Sequence, residues 1–376
     1  EMIDLQNGQT RSLTPVDGSL EIDFAPAGSL LLRTGPALAG SKKSAFHPGA
    51  GVSFPLPEIK ETLDLKKLRC ELEEPNVLLL NEVILEMNGK EVHRGPVSQV
   101  WHRHFYPAPE GTPFRASYTF HSEVELAGAF LAIEAAENLD RISFNGKPAL
   151  ALFKKGSPEI FDSRLFWKDL AFRRVPIPKI KKGLNRLVLE GKKINNITGV
   201  GFHRRVPDWK THQPTEVEEI YLVGNFSLKK IGEGNYGIAA FKAPNPGDLV
   251  GSGFPFYSGW MKVASEFRKP AGAKRLFLEL DGSFAAAKVS INGKTLDSLL
   301  WPPYRLEITQ LAKTGNNLIE IRSATTLVNL LGPNRTYGIK KIVYVGPHAF
   351  VTRELFQKEY TFFDFGISGL RILTTD

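Results

Sequence analysis

The chain has a single cysteine, Cys70, among 376 residues. It therefore closes no internal disulfide and offers no thiolate set for a metal. It also lacks any uncharged apolar run near the ~18–20 residues a membrane helix needs, which argues against a membrane partner. Methionine is scarce (3) while phenylalanine is abundant (25), a balance that suits β-rich packing better than a helical bundle. Helix signals are few: residues 162–168 and 308–314 each have room for one turn, short of a normal helix. No phosphate loop, Gly-x-Ser-x-Gly elbow or His-Glu-x-x-His helix occurs. The loose glycine pattern Gly232-Glu-Gly234-Asn-Tyr-Gly237 has no helix after it and reads as a turn.

What is present supports folded cores. The chain is 42 % hydrophobic and 23 % charged, which excludes disorder, and its length allows roughly two to three domains of about 150 residues. Lys plus Arg number 48 against 40 Asp plus Glu, a net charge of +8. The basic residues are scattered, with short clusters such as Arg173-Arg174 and His203-Arg204-Arg205, and these read as solvated strand ends and turns. If the charge serves a partner, an acidic polysaccharide fits better than nucleic acid, because no basic strip is interleaved with aromatics. The run Trp101-His102-Arg-His104 places two histidines on one side of a strand, as a metal pair requires, but spacing identifies no third ligand.

The first 33 residues carry two hairpin dipeptides, Asn7-Gly8 and Asp17-Gly18, between alternating runs. They predict a small β-meander, too small to bury both faces alone. With Glu1 rather than Met at the start, the meander reads as the tail of a domain whose beginning is missing.

An internal repeat follows. Strand-like runs at 114–120, 130–134 and 142–144 lead to Asn145-Gly146-Lys147. Runs at 261–267, 276–280 and 289–291 lead in the same order to Asn292-Gly293-Lys294. Each third run ends in an Asn-Gly hairpin, a turn that needs positive φ at both central residues. The correspondence continues through Leu165-Phe-Trp167 and Leu299-Leu-Trp301 to Gly183-Leu-Asn185 and Gly315-Asn-Asn317. Short strands separated by Gly, Pro and Asn turns predict an all-β fold of tandem jelly-roll sandwiches preceded by the meander. The expected division is 1–66 for the meander and linker, 67–230 for the first sandwich with a long loop at 148–164, and 231–376 for the second.

Several motifs carry a family resemblance. Gly253-Phe-Pro-Phe-Tyr257-Ser-Gly-Trp260, Ile291-Asn-Gly-Lys294, Trp301-Pro-Pro-Tyr304-Arg305, Gly315-Asn-Asn317 and Asn329-Leu-Leu-Gly-Pro333-Asn334 resemble a galactose-binding-like sandwich of the sugar-binding type found in family 2 glycosidases. More closely, they resemble the C-terminal accessory region of family 106 α-L-rhamnosidases and related large glycoside hydrolases. Glu74-Pro-Asn76-Val-Leu-Leu-Leu80, Met87-Asn-Gly-Lys90 and Glu218-Glu-Ile-Tyr221-Leu-Val-Gly-Asn225 are similar to the segments between barrel and tail in that family.

The resemblance implies that the catalytic carboxylates stand on an upstream barrel of the same polypeptide, and this chain has no βα-alternating region. Glutamates 71, 73, 74, 218 and 219 read as surface charge, and no residue is assigned a catalytic role. The resemblance further implies a secreted or periplasmic bacterial protein that degrades polysaccharide, with a polysaccharide or oligosaccharide as partner. No cofactor is required, although a structural calcium held by loop oxygens is implied.

Trp301, Tyr304 and Arg305 are the leading candidates for sugar contact. An indole face can cover the C–H face of a pyranose while a guanidinium donates to hydroxyls, and half-burying such a ring is worth about 2–3 kcal/mol. The alternative is that Trp301 seals the sandwich end and the prolines fix an edge loop. Tyr257 is a candidate second aromatic wall, with core packing as its alternative. Asn334 and Arg335 can hydrogen-bond a ligand or close their own turn. At the level of the whole chain, the alternatives to an accessory region are a free-standing carbohydrate-binding protein and an oligomerising structural module.

Overall fold

The computed structural model describes residues 59–152, 162–194, 215, 217–232, 235–334, 357 and 359–375, together with five two-residue strands outside these ranges. Three of those, Met2–Ile3, Thr10–Arg11 and Leu31–Leu32, form one antiparallel sheet with Met2–Ile3 in the middle. These strands fall in the region read as a meander, but the third pairs with the first rather than with the second, so their order is not that of a meander. The strand predicted at 19–24 lies outside the described residues.

The main strands are, in chain order, β1 (Ile59–Asp64), β2 (Arg69–Leu72), β3 (Asn76–Leu80), β4 (Glu82–Met87), β5 (Lys90–Pro96), β6 (Pro113–Ser122), β7 (Phe130–Glu134) and β8 (Arg141–Phe144). They continue with β9 (Lys147–Ala149), β10 (Phe166–Trp167), β11 (Asp169–Pro176), β12 (Gly183–Lys192), β13 (Ile220–Gly224), β14 (Ser227–Lys230) and β15 (Tyr236–Ala239). The last group is β16 (Trp260–Arg268), β17 (Arg275–Ser283), β18 (Ala286–Ile291), β19 (Lys294–Leu299), β20 (Arg305–Glu307), β21 (Asn316–Ala324) and β22 (Gly366–Thr375).

These strands make two sandwiches of the same plan, so the fold is all-β as the turn spacing predicts. In the first sandwich one sheet runs β10-β11-β7-β13-β3, and the other contains β9-β8-β12-β6 with β4 and β5 beyond β6. In the second, one sheet runs β20-β17-β22-β1 and the other β19-β18-β21-β16-β2. The two orders superpose: β7 corresponds to β17, β6 to β16, β8 to β18, β12 to β21 and β13 to β22. Outer strands correspond as well, β3 to β1 and β4 to β2.

This pairing changes the division read from the sequence. The strands β1 and β2 pair with β22 and β16, both in the second sandwich. The expected boundary at 66/67 therefore falls between two strands of that later sandwich. The other boundary, 230/231, falls inside the β14–β15 hairpin, which extends the first sandwich's second sheet through one parallel contact of β15 with β6. The first sandwich is thus nested inside the second: residues 59–72 open it, residues 76–239 build the first, and residues 260–375 complete the second. Period-2 alternation places each side chain on a face but does not name the partner strand.

Packing explains why each element forms. Strands β16 and β21 alternate buried and exposed residues along most of their length, as half-buried antiparallel strands do. Their inward residues Val263, Ile319 and Ile321 meet Leu278, Val289, Ile291 and Ile372 in a core with no exposed surface. Burying each such side chain is worth ~1.5–3 kcal/mol. By contrast, β3 and β13 are buried along their whole length. The connection ahead of β16 and a segment of the second sandwich contribute Phe256 and Leu330, respectively, to the first core. There Phe256 meets Tyr360 and Phe362 edge-on, with ring centroids at 5.1 and 5.4 Å. The two sandwiches therefore share an apolar junction, closed by polar contacts as well. Asn76 Nδ2 donates to the carbonyls of Phe226 at 3.0 Å and Gly253 at 2.9 Å. Lys168, at φ 61°, donates to the Ser258 carbonyl at 2.7 Å and also pairs with Glu74.

Both Asn-Gly hairpins of the repeat adopt positive φ at both central residues, 51° and 79° at Asn145-Gly146 and 52° and 81° at Asn292-Gly293. That is the left-handed pair required by a two-residue turn matched to strand twist.

Candidate functional site

Trp301 and Tyr304 lie on the loop between β19 and β20, and Arg305 opens β20, at the edge of the second sandwich. The loop is bounded by buried Leu299 and by Leu300, which is 46 % exposed. Trp301 is half-buried. Tyr304 packs its ring on Phe284, with centroids 4.3 Å apart and planes inclined by 39°. Its carbonyl accepts from the Leu280 amide at 2.9 Å. Burial pushes the Tyr304 phenol above its ordinary pKa.

Arg305 is committed elsewhere. Strand register sets Glu279 opposite both Arg305 and Arg371. Arg305 Nε donates to Glu279 Oε2 at 2.8 Å, and Arg371 Nη2 donates to Glu279 Oε1 at the same distance. Arg371 Nη1 further pairs with Asp281 at 2.7 Å. Burial pushes the Glu279 carboxyl up, but the two guanidinium groups outweigh it and hold it below the usual carboxylate range. Arg305 therefore braces the sheet beneath the loop.

The remaining predicted site residues are not on this loop. Tyr257 is 1 % exposed within the second core, where its hydroxyl donates to the Trp260 carbonyl at 2.5 Å. Burial is also the main reason its phenol is raised. Asn334 is 3 % exposed. Its Nδ2 donates to the Gln357 carbonyl at 2.9 Å, and its Oδ1 accepts from Asn81 Nδ2 at 3.2 Å. Asn334 thus ties its segment to Gln357 and to the first sandwich. Arg335 lies outside the described residues.

The histidine pair also differs from expectation. Residues Trp101–Phe105 form a π-helical turn closed by the Tyr106 amide on the Trp101 carbonyl at 2.8 Å, so strand alternation does not apply to them. His104 instead faces His93, ring centroids 5.4 Å apart, and burial, then His93 and Arg103, lower its pKa. Among the described residues no group of three or more His, Cys, Asp or Glu is placed to hold a metal ion.

Of the glutamates flagged in the sequence, Glu73 and Glu74 are held in ion pairs. Glu73 takes a bidentate pair from Arg322, both contacts at 2.6 Å, and the Arg322 hydrogen bond keeps its carboxyl low. Arg322 also lies over the Trp260 ring at 4.3 Å. The Glu218 carbonyl accepts from the Tyr118 hydroxyl at 2.8 Å, and Glu219 is 8 % exposed. Sequence reasoning did not find the cross-strand Arg–Glu–Arg rows. One is Arg305–Glu279–Arg371, and another is Arg115–Glu190–Arg141 on the first sandwich.

No protein-family profile matches the chain. A stretch of 98 residues is 33 % identical to a protein of Formosa agariphila described as "Putative beta-glucuronidase", covering 26 % of this chain and 8 % of that protein. Among solved structures, the rhamnosidase from Novosphingobium sp. PP1Y is similar over 70 % of this chain and 23 % of its own, at 15 % identity and TM-score 0.25. A family 2 β-galacturonidase from Eisenbergiella tayi is similar over 72 % and 38 %, at 12 % identity and TM-score 0.23. No helix among the described residues is long and apolar enough to cross a membrane. The chain spans well under half the length of each of these relatives, and the proteins it is similar to are glycoside hydrolases.

Proposed function

We propose that the two nested sandwiches are a non-catalytic, carbohydrate-binding region of a larger rhamnosidase-like glycoside hydrolase acting on polysaccharide, with the reaction carried by a barrel elsewhere in the polypeptide. The family resemblance of the sequence motifs supports this reading. So does the state of three paired carboxylates. A glycosidase acid needs a raised pKa and a second carboxyl across one sugar. Glu73, Glu279 and Glu307 are instead all held low by arginine partners.

The Trp301 loop carries the binding half of the proposal. It offers a half-buried indole beside an exposed leucine at a sandwich edge, braced from below by Arg305–Glu279 and by the Tyr304–Phe284 stack. A ring of this kind supports weak, lectin-like affinity of a few kcal/mol. Affinity gel electrophoresis over a panel of neutral polysaccharides tests it. Retardation that disappears in Trp301→Ala, with an unchanged melting profile, is the expected result. Unretarded migration on every glycan, or retardation untouched by the substitution, overturns the loop as the contact.

A further inference from the structure

The outward face of the first sandwich's second sheet carries three arginines on three neighbouring strands. Register places Arg115 of β6 opposite Glu190 of β12, and Glu190 opposite Arg141 of β8. Two residues along, Ser117, Val188 and Ser143 form the next row, and Arg186 stands in the row after it. The middle row is low and nearly covered, at 2 %, 8 % and 8 % exposure, while long side chains rise on both sides. The result is a shallow depression of about 210 Å³ lined by Arg115, Arg141, Ser143, Arg186, Val188 and Glu190. That is below the ~300–1,000 Å³ of a typical small-molecule cleft, so it accommodates one charged sugar unit of a chain crossing the face.

The state of the guanidinium groups points to a ligand. In Arg305–Glu279–Arg371 the same Arg–Glu–Arg arrangement is closed by hydrogen bonds at 2.8 Å. Here the nearest approaches of Arg115 and Arg141 to Glu190 are 3.7 and 3.9 Å, both through Nε. Neither distance is a hydrogen bond. Arg186 gives one N–H to Ser117 Oγ at 3.0 Å. Glu86, beyond Arg115 in the same row, forms no ion pair with it among the described contacts. Three planar forks thus face one depression with most of their donors uncommitted, and a guanidinium fork matches the two oxygens of a carboxylate or sulfate. No aromatic lines the floor, which disfavours base stacking and hence single-stranded nucleic acid.

We infer that the Arg115–Arg141–Arg186 depression binds an anionic group of a polysaccharide, a carboxylate or a sulfate, at a site separate from the Trp301 loop. The inference rests on the carbohydrate-binding reading but not on the Trp301 loop, and the probes below are read independently of neutral-glycan binding. Glu190 separates Arg115 from Arg141 and opposes an incoming anion, so it tunes the affinity downward.

The test is affinity electrophoresis of the full chain in gels containing polygalacturonate or its methyl ester, and dextran sulfate or dextran, with poly(dT) as a competitor. Retardation is expected with polygalacturonate, dextran sulfate or both, and not with the matched neutral polymers. Which anionic polymer acts identifies the anion. Arg115→Ser with Arg141→Ser weakens the interaction by roughly tenfold or more, as loss of charge-assisted hydrogen bonds does, and Glu190→Gln strengthens it. All three side chains are solvent-facing, so circular dichroism melts of the variants are expected to match the parent. Equal retardation of the arginine double variant, no retardation by either anionic polymer, or tighter binding to poly(dT) overturns the inference.

Discussion

Asn292 donates from Nδ2 to Asn317 Oδ1 at 2.8 Å, and Asn145 makes the same bond to Asn185 at the same distance. The match extends outward. Asn317 also accepts from the Lys313 amide and donates to the Lys313 and Gly315 carbonyls, at 2.8, 2.9 and 3.0 Å. Asn185 does so with Lys181 and Gly183 at 3.1, 2.8 and 3.1 Å. Each hairpin asparagine also accepts at Oδ1 from an amide of the neighbouring strand, Leu318 and Arg186 respectively. The lock pins the Asn-Gly hairpin of one strand pair to the turn that starts the next strand, once in each sandwich.

Because Asn185 and Asn317 are buried at 0 % and 1 % exposure, cutting either back to alanine leaves several groups unpaired. Asn317→Ala and Asn185→Ala should each lower unfolding free energy by roughly 3 kcal/mol, measured by urea titration. A loss under about 0.5 kcal/mol in either variant would show that the lock is decorative.

Arg173 and Glu137 form a pair with side chains at 1 % and 3 % exposure, bonded at 2.9 and 2.8 Å. Arg173 also donates to the Leu170 carbonyl. Removing one partner strands a buried charge, which costs about 3–5 kcal/mol. Glu137→Gln and Arg173→Met should therefore be severe singly and less than additive together, as a double-mutant cycle of urea midpoints would report.

Glu279 ionises more readily folded than unfolded. A depressed carboxyl contributes stability that is fully present above its unfolded pKa, about 4.3. That contribution is lost as pH falls through the lower folded value. Stability should fall on acidification below about pH 4.3, and Glu279→Gln should flatten part of that slope while leaving the neutral-to-alkaline region parallel to the parent. An identical acid limb in the variant would remove Glu279 from the account.

The nesting makes its own prediction. Residues 59–72 supply an edge strand to each sheet of the second sandwich, so deleting residues 1–72 should destabilise that sandwich selectively. Hydrogen exchange should show lost protection in 260–299 and 316–324 while 113–122 and 183–192 remain protected. Uniform protection across both would contradict the pairing.

The sequence was legible where chemistry is local. Asn145-Gly146 and Asn292-Gly293 announce their turns because few residues tolerate positive φ, and the order of strands between them announces the repeat. It was illegible where meaning depends on a distant partner. Nothing in residues 59–72 says that their mates lie at 260–268 and 366–375, since alternation is the same whichever sheet a strand joins. The site divides the same way. Trp301, Tyr304 and Arg305 are adjacent in sequence and were found together, but Arg305's commitment to Glu279 requires cross-strand register. For Tyr257 and Asn334 ligand contact and packing both stood open, because an aromatic or an amide in a turn-rich segment gives no sign of its burial. Arg115, Arg141 and Arg186 are far apart in sequence, and only the register of three strands makes them neighbours.

The most direct test of the central claim is turnover by the purified chain. Residues 1–376, incubated with nitrophenyl α-L-rhamnoside and nitrophenyl β-D-glucuronide, should release nitrophenol no faster than a buffer blank while still being retarded in polysaccharide gels. Sustained release above the blank, lost when a single carboxylate of this chain is neutralised, would contradict it.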